Sequence, residues 1–184
     1  MNRKLTGAIA DIHFAPTSTS KNNLLKENID PAAIVVTGNT VIDALQTTVK
    51  ADYRFTDSGL QKALAGGKRL ILVTTHRREN LGEPMRHVYQ ALRKVLENHP
   101  DVEAIFPVHK NPKVREIVNE ELGKLAQVHL IEPLDYEPFA NLMAKVDIVL
   151  TDSGGIQEEA PALGKPVLVL RDTTERLKRL MQVL

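Results

Sequence analysis

Thr151-Asp152-Ser153-Gly154-Gly155-Ile156-Gln157-Glu158-Glu159 is the stretch from which the fold can be read. It follows the apolar run Val146-Asp147-Ile148-Val149-Leu150 and leads into Ala160-Pro161-Ala162-Leu163-Gly164. The pattern predicts a buried strand, a tight glycine turn and a helix. Ser153 is expected to act as the N-cap, its hydroxyl accepting from the first helical turn. Gly154 and Gly155 remove two Cβ atoms, so a ligand can approach the backbone. Unpaired N–H groups at a helix start favour an anion, most simply a phosphate. Glu159 lies four residues after Gly155 and so shares its helix face. A carboxylate there suits sugar hydroxyls, which donate, and does not suit phosphate. Phosphate beside ribose describes a nucleotide. The plain alternative is a capped helix after a strand, and Gly-Gly alone does not decide against it.

Working outward, the same alternation recurs. Strands are predicted over 70–74, 103–108, 128–131, 146–150 and 166–170. Helices are predicted over 84–98, 113–122, 136–144 and 156–163. Alternating strands and helices mean crossover units and a parallel sheet buried on both faces, the Rossmann-like α/β class. Ligands of such sheets gather at the carboxyl ends of the strands. The polar loops fall there: Thr75 to Asn80, His109 to Pro112, Glu132 to Asp135, Asp152 to Gly155 and Arg171 to Arg176. Before this region, a strand over 7–14, a helix starting at Ser18, Thr19 or Ser20, a strand over 33–37, a helix capped by Thr40 and a helix over 59–65 are expected.

Composition narrows the classes. Of 184 residues, 42% are hydrophobic and 26% charged, ordinary for a globular chain, and the formal net charge is +1. No long basic block points to nucleic acid, and no apolar run reaches membrane-spanning length. Cysteine is absent, which removes disulfides and thiolate metal sites; the six histidines lack metal-ligand spacing, so no metal is expected. A cytoplasmic setting fits. There is no Gly-x-Ser-x-Gly elbow and no Gly-x-x-x-x-Gly-Lys loop. His76, at a strand end before a glycine-containing loop, is a candidate phosphate-side group with Arg77 and Arg78, although either arginine alone is as readily a solvated charge. His109 is as readily structural as functional. Phe139 either covers a base or belongs to the core.

Six segments carry a family resemblance: Asp11 to Thr17, Val36 to Asp43, Thr75 to Asn80, Pro107 to Pro112, Asp152 to Glu159 and Arg171 to Arg176. In this order they resemble the non-hydrolysing UDP-N-acetylglucosamine 2-epimerases of bacteria. The resemblance implies two Rossmann-like domains of the glycosyltransferase-B type with the sugar nucleotide between them. It implies anti elimination of UDP to a glycal and its return to the flipped sugar, no cofactor, a homodimer in full-length members, and a place in cell-surface polysaccharide synthesis. By position, Ser153, Gly154 and Gly155 would hold the diphosphate and Glu159 the ribose. Leu134 (through its backbone) and Phe139 would bracket the uracil. Arg176 and His76 would complete the substrate site, His76 as the catalytic group. Arg77 and His109 match a regulatory contact to a second sugar nucleotide. Residues 1–32 look like the last strand and helix of the family's first domain, and 33–184 like its UDP-binding domain. The tail from Leu177 to Leu184 departs from the family pattern. A chain truncated at both ends, inactive alone, is the expectation. A UDP-sugar transferase of the same architecture and a non-catalytic UDP-binding remnant are the alternatives.

Overall fold

The computed structural model describes residues 2–77 and 80–171. Two compact units divide at Thr47/Thr48.

The first unit holds helix α1 (Asn2–Ile9), strand β1 (His13–Ala15), helix α2 (Ser18–Lys26), a 3-10 turn (Pro31–Ala33), strand β2 (Ile34–Val36) and helix α3 (Thr40–Thr48). β1 and β2 pair in parallel, His13 opposite Ile34. Several expectations need correction. Residues 7–9 are helical, and the strand expected over 7–14 shrinks to His13–Ala15. Thr17 caps α2: its Oγ1 accepts from Ser20 N–H at 3.1 Å, so Ser18, Thr19 and Ser20 lie inside the helix. Asn39 Oδ1 accepts from Val41 N–H at 3.2 Å and takes the capping role expected of Thr40. The compact units divide after Thr47, and β2 hydrogen-bonds to β1 and not to the larger sheet.

The second unit follows the sequence reading closely. α4 (Ser58–Ala65) is capped by Asp57, whose Oδ1 accepts from Leu60 N–H at 2.7 Å. Then come β3 (Arg69–Thr74), α5 (Glu83–Asn98), β4 (Val102–Pro107), α6 (Pro112–Leu122), β5 (Val128–Ile131), α7 (Tyr136–Lys145), β6 (Ile148–Thr151), α8 (Ile156–Ala162) and β7 (Val167–Val169). All pairings in the sheet are parallel, in the order β5-β4-β3-β6-β7. The chain winds outward from β3 in one direction and then returns to its other side. Crossovers of one hand running in opposite directions put their helices on opposite faces, so α5 and α6 cover one face and α7 and α8 the other. Among the described residues, no helix is long and apolar enough to cross a membrane.

Side-chain alternation fills both layers. Val73, Ala104 and Phe106 meet Met85, Tyr89, Leu92 and Leu96 of α5 and Val114, Val118 and Leu122 of α6. Tyr89 and Phe106 pack edge to face with ring centroids 5.6 Å apart. Leu72 and Ile105, paired in register, face the other way and are fully buried. α8 ends in a Schellman arrangement: Lys165 N–H reaches Ala160 O and Gly164 N–H reaches Pro161 O, both at 2.9 Å, with Gly164 at φ +70°.

On the second face, Glu103 joins the sheet edge electrostatically. Its Oε1 lies 2.9 Å from Lys68 Nζ and its Oε2 2.6 Å from His129 Nε2. Burial acts to raise this carboxyl, but the bonds from Lys68 and His129 outweigh it and hold Glu103 below the ordinary glutamate range. A carboxylate held low in the fold adds stability that is present above the unfolded value, about 4.3, and is lost as pH falls through the folded value. Glu103→Gln is therefore expected to lower stability by about 1–2 kcal/mol at pH 7, with the difference shrinking below about pH 4. Urea unfolding at the two pH values measures both.

Candidate functional site

In this winding the direction reverses between β3 and β6, which places the switch point, and the crevice for ligands, at the carboxyl ends of those two strands. The strands are tied there side chain to side chain: Thr74 and Thr151 are register partners, and their hydroxyls lie 2.6 Å apart in the interior. Asp152 N–H donates to Thr74 O at 3.2 Å. The loops leaving these strands are Thr75 to Asn80 and Asp152 to Gly155.

Asp152 joins them. Its side chain is fully buried. Oδ2 accepts from Arg77 N–H at 2.9 Å, from His76 N–H at 3.0 Å and from Asn80 Nδ2 at 3.3 Å. Oδ1 accepts from His76 N–H at 3.2 Å and lies 3.3 Å from His76 Nδ1. Arg77 Nε donates to Asp152 O at 2.9 Å, and Asn80 Nδ2 also reaches Leu170 O at 3.3 Å. A buried carboxylate is tolerated only when its lone pairs are met; here they are met by the turn that carries His76 and Arg77. The core supports the same turn from below: the Tyr89 hydroxyl and Thr75 Oγ1 lie 2.5 Å apart, and burial pushes the Tyr89 phenol upward, so it stays protonated and available as a donor.

His109, in the loop after β4, joins this group. Its ring lies nearly parallel to that of His76, 21° apart in plane, with centroids separated by 6.4 Å. Asn111 N–H donates to His109 Nδ1 at 3.1 Å, within the cap of α6 that Asn111 forms through Lys113 N–H. The structure thus brings His109, from the loop after β4, beside His76 in the loop that also carries Arg77.

The glycine turn departs from expectation in one respect. Ser153 is not the side-chain cap of α8. The cap position is Gly155, with helical φ −69° and ψ −49° and no capping side chain. Ser153 N–H instead donates to Thr151 Oγ1 at 3.0 Å, and Ser153 O accepts from Gln157 N–H at 3.4 Å. Within the described residues, nothing accepts from the N–H groups of Gly154, Gly155 or Ile156. Those three donors, as at any helix start, are what an anion would meet. α8 has only seven residues and contains Pro161, so the donors matter more than any dipole.

The expected helix phase holds. A Cβ placed on Gly155 would sit 3.3 Å from Glu159 Oε1 and 4.0 Å from Ser153 Oγ. Burial raises the Glu159 carboxyl above its ordinary value, and the neighbouring Glu158 charge adds to this. Tyr136, at the start of α7, has its phenol raised by burial and then by the Glu159 charge, which puts the first turn of α7 near α8. Phe139 lies three residues further along α7 and shares that side of the helix; it is partly exposed, as is Leu134 in the preceding loop. Arg176, Arg78 and Glu79 lie outside the described residues.

A doubly wound parallel sheet with helices on both faces, and with N–H donors and a nearby carboxylate at its switch point, is a Rossmann-like domain of the glycosyltransferase-B type. A family model described as UDP-N-acetylglucosamine 2-epimerase matches residues 1–183, and the chain belongs to that family. The UDP-N-acetylglucosamine 2-epimerase of Bacillus subtilis (strain 168) is 56% identical over 176 residues, which span 96% of this chain and 45% of that protein. Among solved structures, the S. aureus MnaA–UDP complex is 47% identical with a TM-score of 0.90, over 98% of this chain and 48% of that one. UDP-GlcNAc 2-epimerase from Neisseria meningitidis bound to UDP-GlcNAc is 45% identical with a TM-score of 0.84, over 98% of this chain and 50% of that one. The chain spans about half the length of the curated relatives it matches.

Asp152 and Tyr136 are the residues the sequence reading passed over. The available signal was weak: an acidic residue at the end of an otherwise apolar strand, and a tyrosine three residues before Phe139.

A carboxyl raised in the fold works against stability as pH rises from the unfolded value, about 4.3, through the folded one. Glu159→Gln should therefore stabilise the ligand-free chain at pH 7, by a few tenths of a kcal/mol given its partial exposure, and change nothing at pH 3.5. Thermal unfolding of both chains at the two pH values is the measurement.

Proposed function

We propose that this chain is the UDP-holding part of a UDP-N-acetylglucosamine 2-epimerase, which interconverts UDP-GlcNAc and UDP-ManNAc by elimination and re-addition of UDP. The observation that carries the reading is the pairing of Gly155 and Glu159 on one face of α8, beside open N–H donors at the switch point of the sheet. The family membership of the chain supports it, as do relatives solved with UDP and with UDP-GlcNAc. Ser153, Gly154 and Gly155 take the diphosphate. Glu159 accepts from the ribose hydroxyls, and its raised carboxyl is offset by those donors on binding. Leu134 and Phe139 bracket the uracil. His76 stands at the leaving-group side as the catalytic residue of this unit, and Arg77 and His109 form the contact to a second, activating sugar nucleotide. The whole protein works as a homodimer in the cytoplasm, supplying cell-surface polysaccharide synthesis.

Epimerisation requires one group to take the C2 proton and another to return it on the opposite face. Among the described residues at these strand ends the candidates are His76, His109 and Glu159; Glu159 is assigned to ribose and His109 to the second nucleotide. The chain alone is thus expected to bind UDP without exchanging the C2 hydrogen of UDP-GlcNAc in heavy water. Robust exchange by the chain alone would overturn this division of labour, and transfer to an added acceptor would favour the transferase.

Calorimetry tests the site itself. UDP should bind more tightly than UMP, and UMP more tightly than uridine, because the second phosphate meets the N–H groups of the turn. Gly155→Val should abolish UDP binding, since its side chain occupies the approach and crowds Glu159 Oε1. Glu159→Ala should cost about 1.5–3 kcal/mol of UDP affinity, and Glu158→Ala little. Equal affinity for UDP and uridine would sink the reading.

A further inference from the structure

Imidazole and carboxylate at the switch point carry one step more. His76 Nδ1 lies 3.3 Å from Asp152 Oδ1. The carboxylate has no freedom to turn away: it is fully buried and held by the backbone N–H groups of His76 and Arg77 and by Asn80. A carboxylate oxygen offers only lone pairs, so a proton on the nearer ring nitrogen is attracted to it, whereas a lone pair there would be repelled. His109 is set the opposite way. Its Nδ1 accepts from Asn111 N–H at 3.1 Å, which leaves the ring proton on Nε2. The His76 side chain is 47% exposed, so the end of the ring away from Asp152 is the one open to a ligand.

We propose that Asp152 is a positioning residue that holds neutral His76 as the Nδ1–H tautomer, so that Nε2 faces the ligand side as a proton acceptor while His109 presents Nε2–H as a donor. This rests on the proposed UDP site and deepens it. A neutral His76 so held cannot donate to a fully ionised diphosphate. It can accept a proton from a ligand hydroxyl or a singly protonated phosphate; the resulting imidazolium then bonds to the anion left behind, with Asp152 opposing its charge. His76 is thereby a proton carrier at the leaving group and not a passive phosphate donor. The two parallel rings supply one acceptor and one donor at the same edge of the sheet.

The test is a two-bond proton–nitrogen correlation spectrum of the histidine rings in the ¹⁵N-labelled, ligand-free chain, recorded on the alkaline plateau of each histidine. His76→Gln and His109→Gln identify the signals. His76 is expected as Nδ1–H and His109 as Nε2–H. In Asp152→Asn the amide oxygen can keep the Arg77 and His76 N–H bonds, and the amide NH2 then donates to Nδ1. That variant should move His76 to Nε2–H and leave His109 unchanged. A wild-type His76 in the Nε2–H form, or an Asp152→Asn chain that keeps Nδ1–H, would overturn the proposal. The wild-type spectrum decides the matter even where the variant does not fold. Because no nucleotide is present, failure of UDP to bind would refute the proposed function and leave the tautomer assignment standing.

Discussion

The constraint on which the site depends is the burial of the Asp152 carboxylate at the end of β6. An acceptor-only group in the interior must find donors, and none comes from the strands themselves. They come from the loop after β3, as two consecutive backbone N–H groups and the Asn80 amide. One residue thereby converts two neighbouring strand ends into a single rigid edge. The geometry of His76 and Arg77 is a consequence of satisfying Asp152, and so is the path of the chain into Ser153 and Gly154. The hydroxyl pair Thr74 and Thr151 does the same work one residue earlier, between register partners.

Among the described residues, the glycine turn leaves backbone donors without a protein acceptor. A side-chain cap at Ser153 would have supplied an acceptor to the start of α8, and the structure places that hydroxyl elsewhere. Three N–H donors stay open, and a carboxylate is held partly buried one turn away at Glu159. Burial of the Glu159 charge disfavours the empty fold, and a ligand with hydroxyl donors would relieve it. Such local cost at a site is the usual trade between stability and function.

The sheet was legible in the sequence because short apolar runs between polar loops have only one economical solution, a parallel sheet covered on both faces. Helix phase at Gly155 and Glu159 was legible for a similar reason: a spacing of four is fixed by the geometry of the helix. The failures share a different cause. Thr17 and Asn39 displaced the expected caps because any of several adjacent polar residues could have served, and only tertiary packing chose. The strand over Ile34–Val36 could be expected but not its partner, because an apolar run carries no record of what it pairs with; its pairing with His13–Ala15 is a long-range choice. Asp152 went unread for the same reason, since its partners lie some seventy positions earlier in the chain.

Helix α7 links these observations. Its buried Asn141 donates to Thr48 O at 3.1 Å and to Glu137 O at 2.9 Å, and its Oδ1 accepts from Lys50 N–H at 2.8 Å. The segment by which the chain enters the second unit is thus pinned to the middle of α7 by a side chain with every polar atom engaged. A second tie, from Lys50 Nζ to Glu137 at 2.7 Å, lies on the surface and adds little. The first turn of the same helix carries Tyr136, close enough to feel the Glu159 charge, and Phe139 on the same side. A helix is stiff over ten residues, so the anchor at Asn141 and the residues near α8 move as one body. The entry of the chain and the base side of the proposed nucleotide site are therefore fixed in a common frame, and neither can shift without the other.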